Sequence, residues 1–144
     1  MEEKKANLLE CCLFFTANSL ARVISRLGDE AFAAVGMTPS YAFLLSIAIA
    51  EPGVLQKELA EQLNMAPSTV SRFVDALVAK GLISKKQDGR NTHIYPTESG
   101  IALKPAIEKA WGNLYTQYSE ILGEGHGKEL ARLTNEASKK LQQG

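Results

Sequence analysis

The spacing of apolar residues divides the chain into helices and strands. From residue 2 to about residue 27, apolar positions recur mostly at three- and four-residue steps, which predicts one long first helix. A second helix is predicted over residues 39–50, with Thr38 as its N-cap and Pro39 in its first position. It ends before Glu51-Pro52-Gly53, a strong helix breaker.

Two short helices with a tight join are predicted next. Leu55, Leu59 and Leu63 share one face of the first helix, residues 64–66 form the turn, and Pro67 suits the first position of the second helix. The apolar residues of the second helix recur with helical spacing, at Val70, Phe73, Val74, Leu77 and Val78. A glycine follows at position 81, where helices commonly end in a left-handed residue.

After this glycine the pattern changes to that of strands. Residues 82–87 and 92–97 predict two short strands, and the Asp-Gly pair within residues 88–91 predicts the tip of a hairpin. Thr97 can cap a following helix, whose regular start Pro105 should delay or kink. Three glycines then predict a loop before a last helix, at Gly123, Gly125 and Gly127.

The predicted order is therefore helix, helix, helix, turn, helix, hairpin, helix, helix. A helix-turn-helix followed by a β-hairpin is a winged helix, so the fold class is mainly α with a small β-hairpin wing. The outer helices carry apolar stripes that have no evident partner inside so small a middle region. They close either on each other or on a second copy of the chain.

Composition sets the class of protein. The chain has 144 residues, of which 45% are hydrophobic, so one domain is expected and disorder is excluded as the main state. Two cysteines exclude a disulfide scaffold. Sixteen basic and sixteen acidic residues balance, which argues mildly against a nucleic-acid partner.

The local charge reverses that argument. Residues 72–97 hold five basic and two acidic residues, a net charge of +3. The net charge is −1 over residues 1–37, −2 over residues 38–71 and zero over residues 98–144. The positive charge therefore lies on the second short helix and the hairpin, where a phosphate backbone would bind.

Membrane and enzyme functions are not indicated. No secretory signal follows Met1, and the apolar run at residues 41–50 is too short for a bilayer of ~30 Å, so a soluble, cytoplasmic protein is expected. His93 and His126 have no acidic residue or cysteine at metal-ligand spacing. Phosphate-loop and nucleophile-elbow motifs are missing, so neither an enzyme nor a metal or cofactor is expected.

Three motifs resemble those of the MarR family of bacterial and archaeal transcription regulators. The family's pattern at the end of the recognition helix, Leu-x-x-x-Gly-Leu-Ile, appears at residues 77–83, and its Asp-x-Arg wing motif appears at residues 88–90. Residues 94–100 follow the family's strand and next helix start, except that Pro96 replaces a leucine and predicts a shorter second wing strand. The flanking helices fit in order and length, so the resemblance covers nearly the whole chain.

The resemblance implies a homodimer in which helices from both chain ends interlock. Residues 1–38 would be an N-terminal dimerisation helix and its connection, residues 39–100 the winged helix-turn-helix, and residues 101–144 the C-terminal dimerisation helices, all in one compact domain. Each recognition helix would enter a major groove of a pseudo-palindromic DNA duplex, and each wing the adjacent minor groove. Small molecules or oxidants usually release the DNA in this family, and the protein is expected to act as a repressor.

The DNA-binding candidates are polar residues of the helix-turn-helix and the wing. Arg90 at the hairpin tip suits a narrow minor groove, and Asp88 can hold its guanidinium. The alternative is a solvated turn arginine, and first-turn hydroxyls are likewise common without a ligand. The full set of candidates is Gln56, Lys57, Pro67, Ser68, Thr69, Ser71, Arg72, Lys86, Asp88 and Arg90.

Effector candidates lie in the outer helices and the second helix. Cys12, next to Cys11, matches the place of the reactive cysteine in organic-peroxide sensors, although Thr16 stands where a supporting tyrosine would be expected. A crevice for a small aromatic ligand would be lined by Phe15, Asn18, Tyr41 and Trp111. Plain core packing is the alternative for all of them, and a winged helix that binds a protein is the alternative function.

Overall fold

The computed structural model describes residues 8–144 of the chain. The helices are α1 Leu13–Phe32, α2 Pro39–Ala50, α3 Gln56–Leu63, α4 Pro67–Ala79, α5 Glu98–Ala102, α6 Lys104–Leu122 and α7 Glu124–Gln143. The strands are β1 Val54–Leu55, β2 Ile83–Asp88 and β3 Asn91–Pro96. The mainly α winged helix-turn-helix is confirmed, while residues 2–7 of the predicted first helix lie outside the described residues.

The first helix differs from its prediction at both ends. Residues 8–11 are helical, but Cys12 has an extended backbone (φ −88°, ψ 114°) and separates them from α1. At the other end, α1 continues through Gly28 to Phe32. Gly28 is buried, and a Cβ there would lie 3.0 Å from Cγ of Pro39, so this glycine allows close packing of α1 on α2.

The backbone tests the two predictions made for Pro105 and Pro96. Pro105 delays the regular helix as predicted, because α5 ends at Ala102 and α6 begins at Lys104. The predicted shortening of the wing strand is wrong, since Pro96 remains in β3 and pairs with Ile83. The short strand β1 does not reach Pro96, so β3 has a neighbour on one side only there, which is where strands tolerate proline.

The predicted glycine-rich loop is a single residue. Gly123 has a φ of +92° and ends α6, whereas Gly125 and Gly127 belong to α7. Gly127 is buried against α6, where an added Cβ would lie 3.3 Å from Cε1 of Tyr118. Its role is therefore to bring α6 and α7 close together.

The small sheet is antiparallel with the strand order β1-β3-β2. Asp88 pairs with Asn91, so only Gly89 and Arg90 form the hairpin tip, and Gly89 takes a φ of +61°. The strand β1, which was not predicted, pairs with Ile94 and His93 of β3. It ties the wing to the segment that leads into the helix-turn-helix.

The core lies in the winged-helix region. Val70, Val74 and Leu77 form the buried face of α4, as the helical spacing predicts, whereas Phe73 and Val78 are half-buried. The largest fully buried side chains are Phe32, Leu44, Leu45, Leu59, Leu77, Ile83, Ile94, Ile107, Val70 and Val74. The core thus fixes α4 and β2 as one rigid unit.

The outer helices are covered much less. In α7 only Gly127 is buried, although this helix is 20 residues long. Exposed large apolar residues on the outer helices include Leu13, Phe14, Val23, Ile121, Leu122, Leu133 and Leu141. Within the described part of the chain, no helix is both long enough and apolar enough to cross a membrane.

Candidate nucleic-acid interface

The helix-turn-helix presents the start of α4 to solvent. Asn64 takes a left-handed conformation (φ 54°) and ends α3, and Pro67 opens α4 three residues later. Ala66, in the N-cap position, has no side chain that can cap the helix. The positive end of the helix dipole is therefore open toward an anion.

The polar face of α4 is free of internal partners. Ser68 and Arg72 are exposed, and Thr69 and Ser71 are half-buried. Among residues 8–144, none of these four side chains takes part in a hydrogen bond or an ion pair. Their donors and acceptors are therefore available to a ligand without first breaking a bond within the protein.

The side chain that stabilises the wing tip is not the predicted Asp88. Arg90 is exposed, and within the described residues it forms no ion pair with Asp88. Instead, the amide of Gln87 donates to the carbonyl oxygen of Gly89 (3.0 Å) and accepts from the hydroxyl of Thr92 (2.8 Å). Gln87 is thus a structural residue of the site that sequence reasoning missed, because its partners depend on the strand register.

A cleft joins the wing to the helix-turn-helix. It has a volume of about 210 Å³ and lies between the start of α3, the start of α4 and the hairpin tip. It brings together four predicted DNA-binding residues, Gln56, Lys57, Pro67 and Arg90. Two of the lining residues are cations and none is acidic, so the cleft attracts an anion.

The two lysines of β2 are not equivalent. Lys85 Nζ lies 2.9 Å from a carboxylate oxygen of Asp75 on α4, which neutralises part of the local positive charge. Successive side chains of a strand point to opposite faces, so Lys86 lies on the other face of the wing, where it is exposed. Lys86 therefore offers the only unpaired positive charge among the described residues of β2.

The predicted effector residues do not converge in the single chain. Tyr41 packs on Phe73 of α4 (ring centroids 4.4 Å apart), with Lys80 Nζ 5.8 Å from the Tyr41 centroid. The amide of Asn18 donates to the backbone carbonyl of Phe14 (2.7 Å), and Phe15 is exposed on α1. None of these three residues lines the clefts that Trp111 borders.

Trp111 does border a crevice between α1, α2 and α6. The crevice has a volume of about 290 Å³ and is also lined by Phe43, Gly28 and Pro39. Trp111 is stacked on Phe43, with ring centroids 4.1 Å apart, and its ring meets Phe32 edge-on at 4.5 Å. Phe43 was not predicted, because its place in α2 matches that of ordinary core residues.

The cysteines and histidines have local roles in the structure. Cys11 is exposed, Cys12 is half-buried, and the hydroxyl of Thr16 donates to the Cys12 carbonyl oxygen rather than to its sulfur. His93 Nδ1 lies 3.0 Å from the carbonyl oxygen of Gly53, which joins β3 to the turn before β1. Among residues 8–144, no group of three or more potential ligands could hold a metal ion.

Helix-turn-helix, wing and cleft together define a winged helix-turn-helix protein, and sequence comparison specifies its family. The sequence model that describes the MarR family matches residues 37–92 of this chain. An HTH-type transcriptional regulator of Bacillus cereus is 30% identical over 103 residues, which cover 71% of this chain and 69% of that protein. The regulator YybA of Bacillus subtilis is 29% identical over 94 residues, and the match spans 62% of either chain. The chain belongs to the MarR family, which consists of transcriptional regulators and not of enzymes.

Solved structures share the fold over nearly the whole chain. The repressor CouR bound to a 23-mer DNA duplex has a TM-score of 0.81 at 22% identity, covering 90% of this chain and 94% of that one. PcaV of Streptomyces coelicolor, in complex with its natural ligand, also has a TM-score of 0.81, at 21% identity, with 91% and 94% covered. The architecture of the outer helices is therefore that of the family, in addition to the winged helix.

Proposed function

We propose that this protein is a homodimeric repressor that binds a pseudo-palindromic DNA duplex. The observation that carries the proposal is the cleft between α3, α4 and the wing tip, which places Lys57 and Arg90 on one concave, acid-free surface. A sugar–phosphate strand passing between a major and a minor groove would bind in such a cleft. As a reader of chromosomal DNA, the protein would act in the cytoplasm.

Each part of the interface has a separate task in this proposal. The exposed start of α4 enters the major groove, where Arg72 reaches a base edge or phosphate and the hydroxyls of Ser68, Thr69 and Ser71 contact the backbone or bases. Arg90 enters the minor groove, which suits an arginine on a narrow hairpin tip. The structure of CouR bound to a DNA duplex supports DNA binding by this fold.

A second copy of the chain would cover the outer helices. Large apolar side chains on α1, the end of α6 and α7 are exposed in the single chain, and burying them is favourable. A two-fold dimer presents two recognition helices about 34 Å apart, so the half-sites should be spaced by one helical turn.

The effector in this proposal is a small aromatic molecule that binds beside Trp111. The structures of CouR with p-coumaroyl-CoA and of PcaV with its natural ligand support a small-molecule effector. Because the crevice lies where α1, α2 and α6 meet, a ligand there would shift the winged helix relative to the outer helices. The two recognition helices would then no longer match both half-sites.

Selection of bound duplexes from a random pool tests the DNA-binding function. We expect an enriched inverted repeat whose half-sites are centred about one helical turn apart. A reporter gene placed behind the selected sequence should be repressed by the protein. Retention without enrichment would mean that the protein binds only the backbone, and no retention at low salt would favour a protein partner.

A further inference from the structure

The crevice beside Trp111 is lined by one negative charge, and this charge favours some ligands over others according to their own charge. Among the described residues, its lining contains no lysine, arginine or histidine, and its one ionisable group is the carboxylate of Asp29. The hydroxyl-bearing residues Ser25, Thr38 and Ser40 also line it. Hydroxyl groups, which both donate and accept hydrogen bonds, thus border an apolar space together with one carboxylate, and the lining holds no cation to balance an anionic ligand.

We propose that this crevice binds a small aromatic cation, a flat ring that carries an ammonium group. The inference rests on the proposed function only in treating the crevice as the effector site. The aromatic ring would lie along Phe43 and Trp111, and the ammonium group would face Asp29. An aromatic carboxylate of the same size is disfavoured, because its charge would be brought close to that of Asp29 with no cation to compensate.

The aromatic side chains favour the same sign of charge. Ring faces of tryptophan and phenylalanine carry partial negative charge and attract cations, most strongly where water is excluded. Trp111 contacts Phe32 edge-on and is stacked on Phe43. The two aromatic rings that line the crevice are therefore packed together before any ligand binds, which limits the entropy lost on binding.

Asp29 is available to the ligand. The neighbouring arginine of α1, Arg26, pairs with Glu30 (3.6 Å). Within residues 8–144, Asp29 takes part in no ion pair or side-chain hydrogen bond. A ligand's ammonium group would therefore meet a carboxylate that is not engaged in an ion pair with any described residue, although Arg22 and Arg26 border a neighbouring groove with it.

A second cleft on the other side of the same aromatic pair provides a contrast. It has a volume of about 330 Å³, shares Phe43 and Trp111 with the first crevice, and is bordered by Lys104 and Glu108. These two side chains lie at the limit of an ion pair, with Lys104 Nζ 4.0 Å from a Glu108 carboxylate oxygen. Any anion that binds near Trp111 would favour this second cleft, so Lys104 serves as a probe for it.

Three matched ligands test the proposal on the full-length protein without DNA. They are benzylammonium, benzyl alcohol and phenylacetate, which share a ring, are similar in size and differ in charge. Trp111 is the only tryptophan of the chain, so its fluorescence reports binding at either cleft, and calorimetry gives the dissociation constants. We expect the cation to bind most tightly and the anion most weakly.

Two charge-neutralising variants locate the site. Asp29→Asn should weaken binding of the cation about tenfold and leave binding of benzyl alcohol unchanged, since only the Coulomb attraction is lost. Glu120→Gln removes the same charge from an exposed position of α6 that does not line the crevice and forms no ion pair among the described residues, and should leave both affinities near wild type. Equal losses of cation affinity in the two variants would mean that Asp29 acts only through the net charge of the protein. This result would overturn its assignment as the residue that binds the ammonium group.

The opposite ligand preference would overturn the proposal outright. Tightest binding of phenylacetate, lost in Lys104→Gln but kept in Asp29→Asn, would place the ligand in the second cleft instead. Because these measurements contain no DNA, they are independent of the DNA-binding proposal. Duplex selection can therefore succeed when the cation fails to bind, and the two failures remain distinguishable.

Discussion

Arg90 lies at the tip of a hairpin, where its guanidinium has no partner among the described residues. If it enters the minor groove, Arg90→Ala should lower the affinity for the selected duplex about ten- to a hundredfold, because one specific contact typically contributes ~1–3 kcal/mol. The fold should stay intact, since the side chain packs against no core residue. Fluorescence anisotropy measures the affinity, and circular dichroism checks the fold.

Arg22→Ala is the matched control for this variant, because it removes an exposed arginine from α1, away from the wing. Its affinity should stay near wild type at moderate salt, where long-range electrostatics are screened. A third variant, Arg90→Lys, keeps the charge but loses the flat guanidinium, and should recover only part of the affinity. Unchanged binding by Arg90→Ala would mean that the residue is a solvated turn arginine.

Gly100 is required by packing and not by its backbone conformation. Its φ is not in the left-handed region, but an added Cβ would collide with the carbonyl oxygen of Leu82 and lie 3.1 Å from Cδ1 of Leu45. Thr97 fixes the same junction, since its hydroxyl donates to the carbonyl of Gly81 (2.6 Å) and accepts from the Gly100 N–H (3.1 Å). Glycine is therefore needed where α5 packs against the backbone of Leu82, between the recognition helix and β2.

Gly100→Ala should therefore lower the free energy of unfolding by about 1–3 kcal/mol, the usual cost of overpacking a core. The control is Gly112→Ala in α6, where nothing lies within 4 Å of the added Cβ and where alanine should stabilise the helix by about 0.5–1 kcal/mol. Urea unfolding at one protein concentration measures both. Opposite signs are expected, and equal effects would contradict the packing argument.

At the scale of the elements, one lysine of the wing forms an ion pair within the protein, and the next lysine is free to bind a ligand. Lys85 is paired with Asp75 and so holds β2 against α4, whereas Lys86 is exposed on the other face of the strand. Lys86→Ala should reduce the slope of log affinity against log salt by about one, as expected for one lost phosphate contact. Lys85→Ala should leave this slope nearly unchanged. Equal changes in slope would show that the ion pair opens on DNA binding.

Helices were predictable because their signals are local. The spacing of Val70, Val74 and Leu77 placed the recognition helix, and the left-handed glycine at position 81 is confirmed with a φ of +74°. Thr38 lies at the N-cap position as predicted, but its hydroxyl makes no capping hydrogen bond. The sequence pattern thus located the ends of these elements better than it predicted which side-chain atoms would be used there.

Features that depend on distant residues were missed. The strand β1 has two residues and exists only because β3 pairs with it, so no periodicity could indicate it. The Lys85–Asp75 ion pair joins two elements across a turn, and its geometry depends on how β2 packs on α4. The end of the first helix expected at about residue 27 and the loop expected to reach Gly127 were wrong for the same reason, because Gly28 and Gly127 lie inside helices and meet side chains from another helix.

At the scale of the whole molecule, α7 is an amphipathic helix with an uncovered apolar face. Its polar face is stabilised internally, as Arg132 bridges Glu129 and Glu136, and the hydrogen bond from Arg132 lowers the pKa of the Glu129 carboxyl. Beside these charges runs an apolar stripe that includes Leu133, which is 48% exposed, and Leu141, which is 71% exposed. A helix with this pattern gains stability only when its apolar face is buried.

Leu133→Glu should therefore act on the dimer and not on the fold of the winged helix. A charge placed in a buried apolar seam is costly, so we expect sedimentation velocity to show a shift from a dimer toward the 15.6 kDa monomer. Affinity for the full inverted repeat should fall strongly, whereas weak binding to a single half-site should persist, because α4 and the wing are unchanged. Asn135→Glu adds the same charge to the polar face of α7 and should remain dimeric. If Leu133→Glu also sediments as a dimer with full affinity, the outer helices close on each other within one chain, and two-fold recognition must come from another surface.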